Sequence, residues 1–395
     1  MLKHLIALLT LPGFCLAVEN ACPALSKRDA SEENAKAGQT AVEPPPVKPY
    51  LQFQYKAEGI EVPAATSDEP AVAAFGAESI RAARQYLDDG AHYWVREKSC
   101  VACHTSGVYM VERPALTAWL GKPSEEVLAD FVESIPVKAG GSAIKSVWRS
   151  SGLAAWDKHV TGKLSGHTDA SLRHTLTCMQ PDGSFKPIDQ VEIPYITTRF
   201  ELTVQAARAV ATAPGWLGTI RDEPTRGLLD RMRNFLQSHE PVSDYEHALK
   251  LQLAGLFPDL VSQAQRDASI AVLWRQQLPD GGWSTRRMSD LMKWHEKMDP
   301  LVLEMIQNEP DAAAPASDAY MTSWAVVLLR ESGTPADDPR IQKAVNLLKR
   351  TQRVSGRWWM KSLYRDTYHY STYISTAQAL RALALCGEIP DLRGD

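Results

Sequence analysis

The stretch Gln277–Trp283 has the sequence Gln-Leu-Pro-Asp-Gly-Gly-Trp, and related stretches occur at Gln180–Phe185 and Gln352–Trp358. Each follows an apolar segment of helical periodicity and, after a loop, precedes another. Three occurrences indicate an internal repeat of helix pairs. In such a turn the glutamine bonds carbonyls at a helix end, the glycine permits the turn, and the aromatic ring packs back over it. We therefore predict that these residues fasten one helix pair to the next.

The rest of the chain divides by composition. From Ala71 onward it consists mostly of amphipathic helical segments separated by Gly, Pro, Asp and Ser, without the sustained alternation typical of strands. We predict one all-α domain over residues 71–395, long enough for a large core. Residues 18–70 are rich in Ala, Glu, Lys and Pro, which predicts a disordered tether. Its aromatic patch, Tyr50–Tyr55, is a candidate docking point on the domain.

A second informative stretch is Cys100-Val101-Ala102-Cys103-His104. It offers two thiols and an imidazole in the order that covalent c-type haem needs. The cysteines would form thioethers to the porphyrin, and His104 would be the proximal iron ligand. A thioredoxin-type disulfide, a zinc site and a structural disulfide are the alternatives, but no strand–helix unit or second Cys-x-x-Cys accompanies this stretch. The sequence thus predicts one covalent haem c.

The N-terminus agrees with that prediction. Met1–His4 is basic and Leu5–Ala17 is apolar with small residues at its end, which is typical of a cleavable secretory signal over residues 1–17. The apolar run is too short to span a bilayer, so we expect no transmembrane segment in the mature chain. Bacterial c-type haem is attached outside the cytoplasm, so we predict a periplasmic or secreted protein.

Charge and the remaining cysteines say less about chemistry. The formal net charge is −4 with both signs mixed along the chain, and no basic stripe indicates nucleic acid as a partner. Cys178 and Cys386 lie in apolar helical patterns and are expected to be buried. Cys22 lies in the predicted tether without an assigned role.

The repeated turns resemble the QW repeats of the terpenoid cyclase and protein prenyltransferase superfamily, from about Ala71 to the C-terminus. A Cys-x-x-Cys-His in the first helix pair followed by such turns is similar to exported, squalene-cyclase-like bacterial proteins that carry a cytochrome c signature. The resemblance implies an α/α toroid, in which outer helices, turns and inner helices surround a cavity. In that fold Glu78–Leu87 would be an outer helix and Tyr109–Trp119 an inner one. No settled reaction comes with the resemblance.

The catalytic residues of the better-known relatives are largely missing. Squalene-hopene cyclases protonate an alkene with an Asp-x-Asp-Asp cluster, and in the comparable segment Asp318–Thr322 only Asp318 matches, which makes a poor alkene acid. Prenyltransferase β-subunits hold zinc with an Asp-x-Cys and the histidine of an Asp-x-Tyr-His run. Here Tyr320 occupies the position of the cysteine thiolate, whereas Asp366–His369 matches the Asp-x-Tyr-His run. The sequence therefore argues against polyene cyclisation and prenyl transfer.

The toroid also predicts where the haem would lie. The haem stretch and the QW-like turns are outer-to-inner connections, so all would share one rim. His104 and His369 each precede an inner helix, which makes His369 a candidate sixth (distal) ligand. An open sixth position would instead favour small-ligand chemistry over electron transfer. Further candidates for the sixth ligand are Met110, His167, His174, Met179, Met288, His295 and Met360.

Three function classes follow. The first is an exported haem protein that exchanges electrons with a redox partner protein or performs haem-dependent chemistry on a small or apolar molecule held in the toroid. Its catalytic candidates, near the predicted pocket rim, are Asp318, Tyr320, Tyr368 and His369. The second is a non-redox toroid that binds a terpenoid or a peptide, with Cys100 and Cys103 joined as a disulfide. The third is a non-redox lyase or cyclase, which would need a buried acid that the sequence does not reveal. The sequence leaves open whether the protein is an enzyme.

Overall fold

The computed structural model describes residues 52–98, 101, 103–187, 198–289, 304, 307–361 and 370–394. Most of these residues are helical. The α-helices, in chain order, are α1 (Ala77–Lys98), α2 (Ser106–Glu112), α3 (Thr117–Leu120), α4 (Glu125–Glu133), α5 (Ala143–Trp156), α6 (Gly166–Thr177), α7 (Arg199–Thr212), α8 (Glu223–Ser238), α9 (Asp244–Leu256), α10 (Gln263–Gln276), α11 (Thr285–Met288), α12 (Ala319–Glu331), α13 (Pro339–Thr351) and α14 (Tyr370–Leu385).

Helices α2, α5, α7, α9, α12 and α14 form a closed inner ring. Each packs against the next in that order, and α14 packs back against α2. Their burial agrees with an inner position, because every residue of α2 is buried, as are Ser146–Trp156 of α5. The fold is therefore all-α, an α/α toroid, as predicted. The predicted inner segment ends earlier than expected, at Glu112, and a 3₁₀ turn and α3 follow it.

The outer layer consists of α1, α4, α6, α8, α10 and α13, which pack on the ring from outside. They are amphipathic: α8, for example, buries only Thr225, Leu229, Met232 and Leu236, a spacing that follows one helix face. Because an outer helix lies between consecutive inner helices, the inner helices run parallel. Their N-terminal ends define one rim of the toroid, the N-terminal rim, and their C-terminal ends define the C-terminal rim. In the described part of the chain, no helix is long and apolar enough to cross a membrane.

The three QW-like turns make the same bond to the following inner helix. In each, the backbone N–H of the aromatic residue donates to a threonine Oγ1, at 3.1 Å for Phe185 to Thr203 and 3.0 Å for Trp283 to Thr322 and for Trp358 to Thr376. The two indole N–H groups also donate to carbonyls of the preceding outer helix, Leu273 and Leu348. The second and third turns thus tie the outer helix before them to the inner helix after them, and the first turn is bonded to the inner helix after it.

The glycines of these turns contact the next outer helix. Gly183, Gly281 and Gly356 have φ of +92°, +97° and +84°. A Cβ on Gly183 would lie 2.2 Å from Arg231 O in α8, and a Cβ on Gly356 would lie 2.3 Å from Ala83 N in α1. The third turn therefore closes the outer layer onto the first helix. The predicted role of these turns in joining helix pairs is confirmed.

Residues 52–70 differ from the predicted disordered tether. Strand β1 (Phe53–Ala57) pairs antiparallel with β2 (Ile60–Pro63), and the alternating residues Tyr55, Ile60 and Val62 are buried. Arg357 of the third turn donates to Pro63 O at 2.6 Å and pairs with Glu69 at 3.0 Å. The tether prediction is wrong for these residues. Their composition is typical of disorder, but their alternating apolar side chains allow a short hairpin to pack on the domain. The predicted signal, residues 1–17, and residues 18–51 lie outside the described residues.

Candidate functional sites

Cys103 and His104 lie in the connection from α1 to α2, on the N-terminal rim. Both are half-buried, and Cys103 Sγ lies 3.0 Å from His104 Nδ1. The His104 ring centroid is 4.2 Å from that of Tyr370, the first residue of α14. The structure thus brings together the N-terminal ends of α2 and α14. Three predicted site residues lie outside the described residues: Cys100, Tyr368 and His369.

A packed tyrosine cluster supports this connection. The Tyr55 ring lies 5.3 Å from Tyr93 and 6.2 Å from Tyr373, which lies 5.5 Å from Tyr86. Tyr55 also bonds the side chain of Thr105, next to His104. Burial raises the pKa of Tyr55, Tyr86 and Tyr373, so these phenols remain protonated across the physiological range. The cluster fixes the backbone from which His104 projects.

The chemistry of the donor set fits covalent haem. The stretch supplies thiols at positions 100 and 103 and the imidazole of His104, and haem c needs these three groups. The other described cysteines differ, because Cys178 is buried, Cys386 is half-buried and neither forms a disulfide. Burial raises the pKa of both thiols, that of Cys386 to about 11, so neither is a ready thiolate.

Asp318, a predicted catalytic candidate, is the N-cap of α12. Its carboxylate accepts bonds from Met321 N at 2.8 Å and from Thr285 N and Oγ1 at 2.5 and 3.0 Å. It borders a cleft of about 340 Å³ on the N-terminal rim. Desolvation raises the pKa of Asp318 to about 6, against the hydrogen bonds that lower it. Asp318 is therefore mostly ionised at neutral pH and holds the second turn to α12, which is a structural role.

Tyr320 lies inside the ring in a different hydrogen-bonded group. Its Oη is 3.3 Å from Tyr245 Oη, which donates to Glu201 Oε1 at 2.6 Å. Asp318 and Tyr320 therefore do not share a hydrogen-bonded group. Among the described residues, no group of three or more His, Cys, Asp or Glu side chains is arranged to hold a metal ion.

Most of the alternative sixth ligands are placed by other contacts. Met110 and Met288 are fully buried in α2 and α11. His174 Nε2 lies 3.0 Å from Lys138 O, and Met360 Sδ accepts from Ser375 Oγ at 3.4 Å. His167 is near the start of outer helix α6 and so belongs to the C-terminal rim. His295 lies outside the described residues.

A second group of charged side chains lies at the opposite rim. A cavity of about 280 Å³, the C-terminal chamber, is lined by the C-terminal halves of the inner helices and by the π turn Asp157–Thr161 that follows α5. The charged and polar side chains that line it include Glu112, Lys158, His159, Arg208, Gln378 and Arg381. This wall is polar, whereas the sequence had led us to expect an apolar ligand in the toroid.

Glu112 organises the chamber. It is 3% exposed, and its Oε1 accepts from Arg208 Nη1 at 2.7 Å and from Gln378 Nε2 at 3.1 Å. Arg381 Nε lies 3.6 Å from its Oε2. Burial alone would raise the pKa of Glu112, but Arg208 and Arg381 hold it below its ordinary value. Glu112 is therefore an anion that fixes two arginines at the chamber wall.

Sequence reasoning missed this chamber. The signal was present as single charged residues inside otherwise apolar inner segments: Glu112 ends Val-Tyr-Met-Val-Glu, Arg208 interrupts Ala-Ala-Arg-Ala-Val, and Arg381 interrupts Ala-Leu-Arg-Ala-Leu. A buried charge is rare unless it is paired. The three lie far apart in sequence, and only closure of the ring brings them together.

Comparisons with known proteins find distant similarity to solved structures. No family model matches the chain, and no curated protein matches it. Among solved structures, the ent-copalyl diphosphate synthase from Streptomyces platensis is 15% identical with a TM-score of 0.45 over 71% of this chain, which spans half of that protein. The type II terpene cyclase MstE from Scytonema is 14% identical with a TM-score of 0.44, over 79% of this chain and 98% of that one. The assignment of the toroid rests on the closed ring of helix contacts, not on these similarities.

Proposed function

We propose that this chain is an exported c-type haem protein whose toroid holds one covalent haem at the N-terminal rim. Cys100 and Cys103 would form the thioethers, and His104 would be the proximal ligand. The observation that carries the proposal is the proximity of Cys103 Sγ and His104 Nδ1, 3.0 Å apart, in the connection that enters α2. Haem bound there would supply one-electron chemistry. Tyr370 and the tyrosine cluster would hold the His104 ring in place.

His369 is our proposed sixth ligand. It directly precedes Tyr370, whose ring lies 4.2 Å from that of His104, and this proximity supports a place for it near the same iron. Two histidine ligands would favour electron transfer with a redox partner protein. An open sixth position would favour redox chemistry on a small molecule.

Spectroscopy of the protein expressed with its signal, in a host competent for cytochrome c maturation, tests the haem. We expect a pyridine haemochrome spectrum of covalent haem that is lost when Cys100→Ala and Cys103→Ala are combined. The matched control is Cys178→Ala, a buried cysteine outside the stretch, which we expect to retain the haem. A folded, colourless wild-type protein would overturn the proposal.

A second measurement tests the axial ligand. We expect His369→Ala to shift the visible spectrum and the reduction potential and to open a site for carbon monoxide. His167→Ala, an exposed histidine on the outer layer, should change neither. An unchanged spectrum and potential in His369→Ala would exclude His369 as the ligand.

The alternative function is a ligand-binding toroid with Cys100 and Cys103 joined as a disulfide. The C-terminal chamber is the specific observation that favours it, because its charged wall lies away from the cysteines. A colourless protein that remains folded and binds a ligand in the chamber would support this function in place of the haem.

A further inference from the structure

The proposed haem function does not use the charges of the C-terminal chamber. Among the lining residues, three cations, Lys158, Arg208 and Arg381, face two carboxylates, Glu112 and Glu331. Glu112 is engaged by Arg208 and Gln378 and lies near Arg381. Glu331 is half exposed at the mouth, where it pairs with Arg381 at 3.1 Å. The wall therefore carries an excess of positive charge.

His159 responds to that excess. His159 is an exposed residue at the chamber, and its pKa is lowered to about 4, first by partial desolvation and then by Arg381, Lys158 and Arg208, which Glu112 offsets only in part. His159 is therefore uncharged at neutral pH and is able to donate one hydrogen bond and accept another. A positive potential in a partly enclosed cavity attracts anions.

Two buried donors at the chamber point to an acceptor. Gln205 is 6% exposed and its Nε2 has no hydrogen-bond partner among the described residues. It lines a narrow cavity that adjoins the chamber beside Arg208 and Gln378. Arg381 Nε forms no hydrogen bond in the described part of the chain, and its ion pair with Glu112 Oε2 is long, at 3.6 Å. Buried donors in proteins are nearly always satisfied, so a molecule with acceptor oxygens would complete this wall.

We propose that the C-terminal chamber binds a small hydrophilic carboxylic acid, with the carboxylate held by Arg208 and Arg381 and with Lys158 completing the positive wall. Arginine is suited to this task because its planar fork matches a carboxylate. The cavity volume of about 280 Å³ admits a short dicarboxylate. The π turn Asp157–Thr161 carries Lys158 and His159 to the mouth, and such turns are frequent at functional sites.

Calorimetric titration of the full-length protein with succinate, at low ionic strength, tests this site. We expect succinate to bind and its neutral diamide not to bind. Affinity should fall about tenfold or more in Arg208→Gln, because a charged hydrogen bond to the ligand is lost. Since Arg208 also stabilises Glu112, Lys158→Gln is the second variant. Lys158 is exposed, and we expect its loss to weaken binding about threefold without affecting the fold.

Lys163→Gln is the matched control, because Lys163 is exposed, lies five positions further along the chain and does not line the chamber. It should bind succinate as the wild type does. A second readout is the imidazole signal of His159 in NMR spectra, assigned with His159→Gln: bound carboxylate should raise the pKa of His159.

Three results would overturn the proposal. They are the absence of both heat and a His159 shift up to about 20 mM succinate, equal binding of the diamide, and unchanged affinity in Lys158→Gln. None of them depends on the haem, so failure of this site and failure of the proposed function are distinguishable.

Discussion

The two rims of the toroid use their polar residues differently. On the N-terminal rim, several polar groups of the QW-like turns and Asp318 bond to backbone and threonine partners: Gln352 Nε2, for example, donates to Ser79 O at 2.9 Å and to Gly356 O at 3.0 Å. On the C-terminal rim, Arg208 and Arg381 pair with a buried carboxylate and also line a cavity. The residues that recur in the sequence therefore stabilise the fold, whereas the single charged residues within apolar inner helices line the chamber.

The Cys-x-x-Cys-His stretch is the exception on the N-terminal rim. Cys103 and His104 occur once, outside the repeat, and lie where α2 and α14 meet. A residue set that departs from a structural repeat is a better candidate for chemistry than one that follows it. The predictions below test this division, first on the turns and then on the chamber.

The largest effect is expected at the turn that closes the ring. In Gly356→Ala the new Cβ would meet the backbone of Ala82 and Ala83 in α1 at 2.3 to 2.4 Å, at a φ of +84°. We expect the free energy of unfolding to fall by about 4 kcal/mol, measured by urea denaturation. The control Gly387→Ala has a similar φ of +77° with nothing within 4 Å of the new Cβ, and we expect about 1 kcal/mol. Equal losses would show that the turn does not clamp the outer helices.

A smaller effect is expected at the chamber. Glu112→Gln removes the buried negative charge that Arg208 and Arg381 share, so we expect a loss of about 3 kcal/mol in unfolding free energy. The control Glu223→Gln removes an exposed carboxylate that pairs with Arg226 at 3.5 Å, and we expect a change within about 0.5 kcal/mol. A Glu112→Gln variant as stable as the wild type would mean that the arginines are not fixed by this carboxylate.

The fold was largely predictable from sequence, because its determinants are local. The glutamine, glycine and aromatic residue of Gln352–Trp358 act within one turn and on the adjacent helices. The hairpin that contains Tyr55 was not predicted, because the composition of the surrounding segment indicates disorder and the alternation of buried and exposed residues in the two strands is short. The chamber was missed because Glu112, Arg208 and Arg381 meet only when the ring closes, and helical periodicity does not fix how far each inner helix is rotated. The Cys-x-x-Cys-His stretch that contains Cys103 could be recognised in the sequence because its spacing is local, whereas the haem that it would bind stays a prediction.

The third prediction tests the raised pKa of Asp318, the N-cap of α12. Its pKa in the folded protein is about 6, above its ordinary value, so protonation favours the folded state. The stabilisation is therefore full below about pH 4 and is lost as the pH rises through 6. Relative to Asp318→Asn, which cannot titrate, the wild type should gain about 2 kcal/mol in unfolding free energy between pH 7 and pH 4. A pH-independent difference between the two proteins would contradict the raised pKa.

The smallest effect tests whether the three turns are equivalent. Thr203, Thr322 and Thr376 each accept the N–H of the aromatic residue in a turn, at 3.0 to 3.1 Å. Each Thr→Val substitution keeps the shape and removes the acceptor, so each should lower the unfolding free energy by about 1 kcal/mol. Thr219→Val on the exposed surface is the control and should have little effect. Because the turns are distant from one another, the three losses should add. A loss confined to Thr376→Val would instead show that only the closing turn depends on this bond, and it would restrict the contrast between the two rims to that turn.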